Sequence, residues 1–276
     1  MAVIRYELPI KLAGRFHLYI HHFARGTFPS TSKELHTHPF NRFFIPLNNP
    51  TGFGRIKKSR NDDYLEFIPG HAYFIPLNYN AGMLLDDYFE FISIQFALEL
   101  YEGVDLFSHY GEVREVDDPV WQQRAIDAYT EKNPFYASAK LHSLAFDFAV
   151  FLMDSMSSEQ WESVTRYSEF QQELNYLQEN KNSLAKITME DLAAIRGSSR
   201  ENFTRKFTLA TGISPKKFLS KMIIFHACRM LIDEERPIKE ISSALGFANE
   251  YYFSRFFRKH TGVPPGQYRT THKSET

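Results

Sequence analysis

The sequence predicts an α+β fold in two parts: a β-rich N-terminal part followed by two helices, then an all-α part built from a duplicated helical unit. Three observations predict it. Short aromatic and β-branched runs separated by turn residues fill the first hundred positions. From Asp118 the hydrophobic period becomes helical. The C-terminal half then repeats itself at an offset of 50 residues.

In RFHLYIH, Phe16, Leu18 and Ile20 alternate with His17, Tyr19 and His21, the period of a half-buried strand. NRFFIPLN, YLEFIPG, AYFIPLN and YFEFISIQF are similarly short. Asn48-Asn49-Pro50, Pro69-Gly70 and Asn80-Ala81-Gly82 punctuate them as turns. Such spacing predicts a small barrel or sandwich. Val120, Trp121, Ala125, Ile126 and Tyr129 then mark one amphipathic helix, and Leu141, Leu144, Ala145, Phe148, Phe151 and Leu152 a second. The polar run DSMSSEQWE predicts a linker, which divides the chain into 1–155, a linker at 156–162, and 163–276.

FTRKFTLATGISPKKF at 203–218 lies over FSRFFRKHTGVPPGQY at 253–268, with six of sixteen positions identical. Upstream, at an offset of 49, Leu192 and Gly197 match Ile241 and Gly246. Two copies make a duplicated unit, whereas a solenoid needs at least three. In the first copy, Thr188 and Asp191 frame a short helix, and Gly197 suits the left-handed turn that ends it. Ser198, with Glu201, predicts the cap of a second helix that stops at Gly212, and Ser214-Pro215 starts a third. The second copy reads likewise: Ile238–Leu245, a turn at Gly246, a cap at Asn249, and an end at Gly262. This is the punctuation of a helix-turn-helix.

Phe203 and Phe207 in one copy, and Phe253 and Phe257 in the other, pin one face of each second helix to the core. Thr204, Arg205 and Glu201 then project elsewhere in the first copy, as do Ser254, Arg255 and Tyr251 in the second. A helix that reads DNA needs this arrangement, with an outward donor such as Arg that can grip guanine O6 and N7 together. A single Arg on a helix surface is usually only solvated; two at matched positions of a repeat are harder to dismiss. The helix from Pro215 to Asp233 has 19 residues, hence ~28 Å, against ~34 Å between successive major-groove segments on one face of DNA.

Charge agrees with this division. Residues 1–162 carry 14 Lys+Arg against 21 Asp+Glu, a balance of −7, and residues 163–276 carry 18 against 12, a balance of +6. A basic half beside an acidic one suggests that only the former meets a polyanion. Lys206, Lys216, Arg258 and Lys259 could contact phosphates, as could the helix N-termini at Ser199 and Asn249; each could equally be solvated. No run of 18 apolar residues is present, the N-terminus lacks a signal-like apolar region, and the lone Cys228 allows no intrachain disulfide framework or multi-cysteine metal site. A cytoplasmic setting with no membrane contact is expected.

The stretch from about Ile187 to Arg269, with SSRENFTRKF, IKEISSALGF, YFSRFF and GVPPGQYR, resembles the C-terminal domain of AraC/XylS-type bacterial transcription regulators. The resemblance implies two recognition helices entering successive major grooves of an asymmetric promoter site. By position, Glu201, Thr204 and Arg205 fall where the family's first helix faces bases, and Tyr251 and Arg255 where its second does. Glu201 departs in charge and Tyr251 in bulk. The resemblance also implies a cupin-like barrel before the DNA-binding domain, a homodimer formed through one of the helices at 118–132 and 135–154, and RNA polymerase as a further partner of an activator.

His36-Thr37-His38 is the motif of chemical interest in the N-terminal half. H-x-H on a strand points both imidazoles one way, as a metal-binding cupin requires. No Glu follows before Leu65, and Asn78 and Asn80 stand where a further His would be needed. The expectation is therefore no metal, no cofactor and no catalytic residues. His36 and His38 remain candidates for binding a small-molecule effector such as a sugar, or for packing at a barrel rim. The leading reading is a transcription regulator, an activator under effector control. The alternatives are a regulator whose N-terminal domain only dimerises, and a metal-dependent cupin enzyme.

Overall fold

A computed structural model describes residues 16–27, 39–47, 54–57, 63–79, 82–86, 89–101, 103–233 and 235–273. Nine strands precede ten α-helices among them. The strands are β1 (His17–Thr27), β2 (Asn41–Pro46), β3 (Gly54–Lys57), β4 (Tyr64–Glu66), β5 (Ala72–Ile75), β6 (Met83–Leu85), β7 (Glu90–Tyr101), β8 (Val104–Asp105) and β9 (Arg114–Val116). All pairings are antiparallel. One sheet runs β1-β7-β2-β5-β9 with β8 beside β7, and a second runs β4-β3-β6.

Adjacent residues of β2 show how the layers stack. Phe43 lies opposite Ile94 and Phe74 and stacks on Phe148 of a covering helix at 3.7 Å. Its neighbour Phe44 points the other way, into a cluster with Ile56, Phe67, Met83, Phe89 and Phe91 that joins the two sheets. β2 is buried on both faces, which is why Phe43-Phe44-Ile45 reads as a continuous apolar run rather than an alternation. The expected barrel is thus two sheets around an aromatic layer; no pairing among the described residues closes a cylinder. The strands of the small sheet have only three or four residues, too few to wrap around the larger one. β3, β6, β8 and β9 escaped the sequence reading because such lengths carry almost no periodicity.

The covering helices are α1 (Val120–Tyr129) and α2 (Pro134–Met153), the latter capped by Asn133 with Pro at its first position. Trp121 sits edge-on to Phe148 at 5.0 Å, so the pair packs on the sheet as one layer. The segment expected as a linker is instead ordered. Ser157 and Gln160 form a capping box for α3 (Ser158–Thr165), and the Gln160 amide also donates to the Tyr110 carbonyl at 3.1 Å. Its polar composition reflects a capped helix on the surface rather than a free tether.

A 3-10 turn at Arg166–Phe170 leads into α4 (Gln171–Glu179), and another at Lys181–Lys186 into α5 (Met189–Ile195). Then come α6 (Arg200–Thr211), α7 (Pro215–Asp233), α8 (Ile238–Ala244), α9 (Glu250–Thr261) and α10 (Pro265–Lys273). The central helix has the bounds expected of the connector between the repeats.

The β-sheets pack directly on α7. Phe225 meets the rings of His21 and Phe40 edge-on at 5.4 and 5.6 Å, and those two stack at 3.6 Å. Arg229 lies 4.5 Å from the centre of the Tyr19 ring. Gly103, at φ +77°, lets the β7–β8 turn approach so closely that a Cβ there would stand 2.6 Å from Met222 Cγ. His21, expected on one side of a regular alternation, is buried together with His22 because β1 slips register between Ile20 and His22.

Candidate nucleic-acid interface

Each repeat is a short helix, a left-handed glycine turn and a longer helix. Thr188 Oγ1 accepts from the Asp191 N–H at 3.2 Å while Asp191 reaches back to the Thr188 N–H at 2.8 Å, closing a capping box on α5. Gly197 follows at φ +60°. The cap of α6 is Ser199, whose Oγ accepts from the Asn202 N–H at 3.2 Å, not Ser198 as expected; the Ser198 hydroxyl instead accepts from the Asn202 side chain. The one-residue shift puts Glu201 in the first turn rather than in a reciprocal box, where its charge suits the positive end of the helix. In the second copy Gly246 turns at φ +87° and Asn249 caps α9 by accepting from the Tyr252 N–H at 3.0 Å.

α6 is held by its buried face. Phe203 and Phe207 are buried, and Phe207 packs 4.7 Å from Phe170. Arg196, just past α5, grips Glu173 of α4 through Nε at 2.6 Å and Nη2 at 3.1 Å, donates to the Glu169 carbonyl, and covers the Phe170 ring at 4.7 Å. Glu173 is 2% exposed, so this bidentate pair works in a shielded place and fixes the entry to the turn. α9 is held likewise by Phe253 and Phe257, and Phe257 packs edge-on against Tyr268 of α10 at 5.3 Å. The 3-10 turn at Lys181–Lys186 braces the second unit, with the Ala185 N–H donating to the Leu245 carbonyl at 2.9 Å.

The opposite faces are polar and open. Glu201 and Arg205 are exposed and Thr204 partly so, and they form a shallow concavity with Arg200, Thr208 and Leu209. Arg205 donates to Asn202 Oδ1 at 3.2 Å, which pre-orients the guanidinium along the helix. On α9, Tyr251 and Arg255 are exposed, and the Tyr251 ring sits beside Tyr252, itself 57% exposed. Lys206 and Lys216 are exposed, the latter in the first turn of α7. Arg258 and Lys259 are exposed in the last turn of α9, where their charge also complements the helix dipole. Both helices thus present an outward polar face with Arg at the matched position.

Four side chains on these faces lie outside the sequence reading: Arg200, Leu209 and Tyr252, which are exposed, and Thr208, which is half-buried. Arg200, Thr208 and Leu209 follow from Glu201, Thr204 and Arg205 by steps of one or four residues, so helical spacing alone could have found them. Arg200 forms an exposed ion pair with Glu190 at 2.8 Å. His36 and His38 lie outside the described residues. Among the described residues, no group of three His, Cys, Asp or Glu could hold a metal ion, and no helix is long and apolar enough to cross a membrane.

A family model described as a helix-turn-helix domain matches residues 192–271. The chain is 23% identical over 236 residues to the uncharacterized HTH-type transcriptional regulator YobQ of Bacillus subtilis, covering 86% of this chain and 88% of that one. It is 32% identical over 90 residues to the lactose operon transcription activator of Staphylococcus xylosus, a match spanning 33% of this chain and 32% of that protein. In overall fold it is similar to ToxT of Vibrio cholerae O395, with a TM-score of 0.55 at 13% identity, covering 94% of this chain and 98% of the other.

Proposed function

Since the chain belongs to the AraC/XylS-type DNA-binding transcription regulators, we propose that it reads an asymmetric promoter site through α6 and α9 under the control of a small-molecule effector. The observation that carries the reading is the pair of matched recognition faces, each anchored by two buried Phe and each presenting an Arg outward. Arg205, with Thr204 and Glu201 beside it, reads bases in one major-groove segment; Arg255 and Tyr251 do so in the next. The amides at the Ser199 and Asn249 caps, with Lys206, Lys216, Arg258 and Lys259, set register on the phosphates. The protein acts by binding rather than by catalysis, in the cytoplasm.

Effector control is supported by the packing of the sheets on α7, the helix that joins the two readers, and by a structural neighbour: ToxT has been solved with an unsaturated fatty acid bound. Activation is supported by the name of the Staphylococcus xylosus relative. A homodimer is supported by α2, whose outer stripe of Phe135, Phe146 and Val150 is exposed, Phe135 at 84%. In an activating dimer, RNA polymerase is the further partner.

Selection of genomic fragments on the purified protein, followed by binding at several salt concentrations, tests the reading. The expected result is a shared motif with affinity falling steeply with salt, as displaced counterions require. Fragments without a common motif, or a flat salt dependence, would refute it.

A further inference from the structure

Among the described residues from 163 onward, the exposed large apolar or aromatic side chains are Leu209, Tyr251 and Tyr252. All lie on α6 or α9, away from the buried Phe pairs that anchor those helices. Single exposed apolar residues are ordinary on a protein surface, but confinement to the two recognition helices is not scatter. A tyrosine carries a hydroxyl for a polar partner. Leu209 carries none, and it is 70% exposed. It follows Arg205 by one helical turn and Glu201 by two, so the three share one stripe of α6 and line the same shallow concavity.

The repeat sets the two readers apart at this point. At an offset of 50, Thr208 and Leu209 lie over Arg258 and Lys259. The second reader therefore ends in two cations suited to phosphates, whereas the first ends in two side chains without charge. The Thr208 hydroxyl donates to the Thr204 carbonyl at 2.7 Å, so its donor is spent inside the helix. Leu209 offers apolar surface alone, and the apolar group on the base edges of the major groove is the thymine 5-methyl. That methyl stands on the side of the groove nearest its own strand's backbone, so a helix position suited to a phosphate contact is also within reach of the methyl. One turn of α6 from Arg205 to Leu209 spans ~6 Å, roughly two base steps of ~3.4 Å.

We propose that Leu209 is a specificity-determining residue that reads a thymine by packing against its 5-methyl group, about two base pairs beyond the base that Arg205 grips. The proposal rests on the reading of α6 as a DNA recognition helix, and it adds the identity of a further base in the first groove segment. The methyl contributes about a fourfold factor in affinity, the worth of one buried methylene-sized group. The two readers then differ in kind at their C-terminal ends: α6 gains sequence information there, and α9 gains phosphate anchoring.

The test is DNA binding by the full chain on its selected motif, with each thymine replaced in turn by deoxyuridine, which keeps the base pairing and loses only the methyl. The motif should hold a thymine about two base pairs from the position that relaxes in Arg205→Ala, and deoxyuridine there should weaken the parent about fourfold. Leu209→Ala should bind the thymine site several-fold more weakly and be indifferent to deoxyuridine at that position. Its melting temperature should match the parent's, because the side chain is exposed. Leu209→Lys, which restores the residue type of the second copy, should also lose the methyl response and should steepen the salt dependence by about one phosphate contact. A motif with no thymine there, an equal deoxyuridine response in parent and Leu209→Ala, or an undiminished affinity in that variant would overturn the assignment. If Leu209→Ala bound like the parent but lowered transcription with added RNA polymerase, the leucine would be a protein contact and the proposal would fall. Motif binding without a methyl response sinks this assignment alone, whereas a parent that selects no motif sinks the promoter reading and the assignment with it.

Discussion

Gly197 and Gly246 occupy matched turns of the two repeats, at φ +60° and +87°, yet the same substitution should affect them differently. Alanine at either position must adopt the left-handed region, at a cost of ~1–2 kcal/mol, offset by ~0.4–1 kcal/mol from the stiffer unfolded chain. Around Gly197 an added Cβ meets nothing within 4 Å, so Gly197→Ala should lose only ~1 kcal/mol. At Gly246 the added Cβ would stand 3.0–3.1 Å from the backbone of Ser183, which cannot swing aside as a side chain could. Overpacking of this kind adds ~1–3 kcal/mol, so Gly246→Ala should lose ~2–4 kcal/mol. Urea unfolding of the full chain, followed by helical circular dichroism, measures both. Hydrogen exchange at the amides of α8 and α9 should show local opening in Gly246→Ala alone. Equal losses in the two variants would refute the claim that the 3-10 turn at Lys181–Lys186 braces the second reader.

Removing the clamp on the first reader with Arg196→Met leaves the buried Glu173 carboxylate unpaired; unfolding should show a loss of ~2–4 kcal/mol, and a loss under ~0.5 kcal/mol would make the pair a surface contact. Burial, with a further contribution from Arg229, lowers the His21 pKa to about 3, and burial foremost lowers that of His226 to about 4. Both stay neutral in the fold but protonate near 6.5 when unfolded, so their stabilisation is complete above 6.5 and is lost as pH falls toward 4 and 3. Asp105, raised to about 6 chiefly by burial, acts in the opposite sense and softens the loss between 6 and 4. His21→Phe should flatten the decline in the urea midpoint between pH 7 and pH 5; an identical decline in both proteins would remove His21 from the account. Phe146→Asp on α2 should convert a dimer to a monomer in sedimentation, and an unchanged assembly would free that face of the role.

What was legible in the sequence follows the range of the forces involved. The helical repeat could be read nearly to the residue because caps, left-handed glycines and the spacing of Phe203 to Phe207 are local devices. The helix Pro215–Asp233 was read with its observed bounds, while the α6 cap slipped by one because Ser198 and Ser199 are chemically alike. The contact of Tyr19, His21 and Phe40 with Phe225 and Arg229 joins residues some 200 positions apart, and no local pattern encodes it.

The central claim is that one chain reads two successive groove segments with two different helices. The most direct measurement compares the base preferences of the parent, Arg205→Ala and Arg255→Ala on a randomised library flanking the selected motif. The account predicts that each variant loses ~1–3 kcal/mol and becomes indifferent at its own base pairs, with the two affected positions about one helical turn apart. Preferences unchanged in either variant, or relaxed at the same base pair in both, would contradict it.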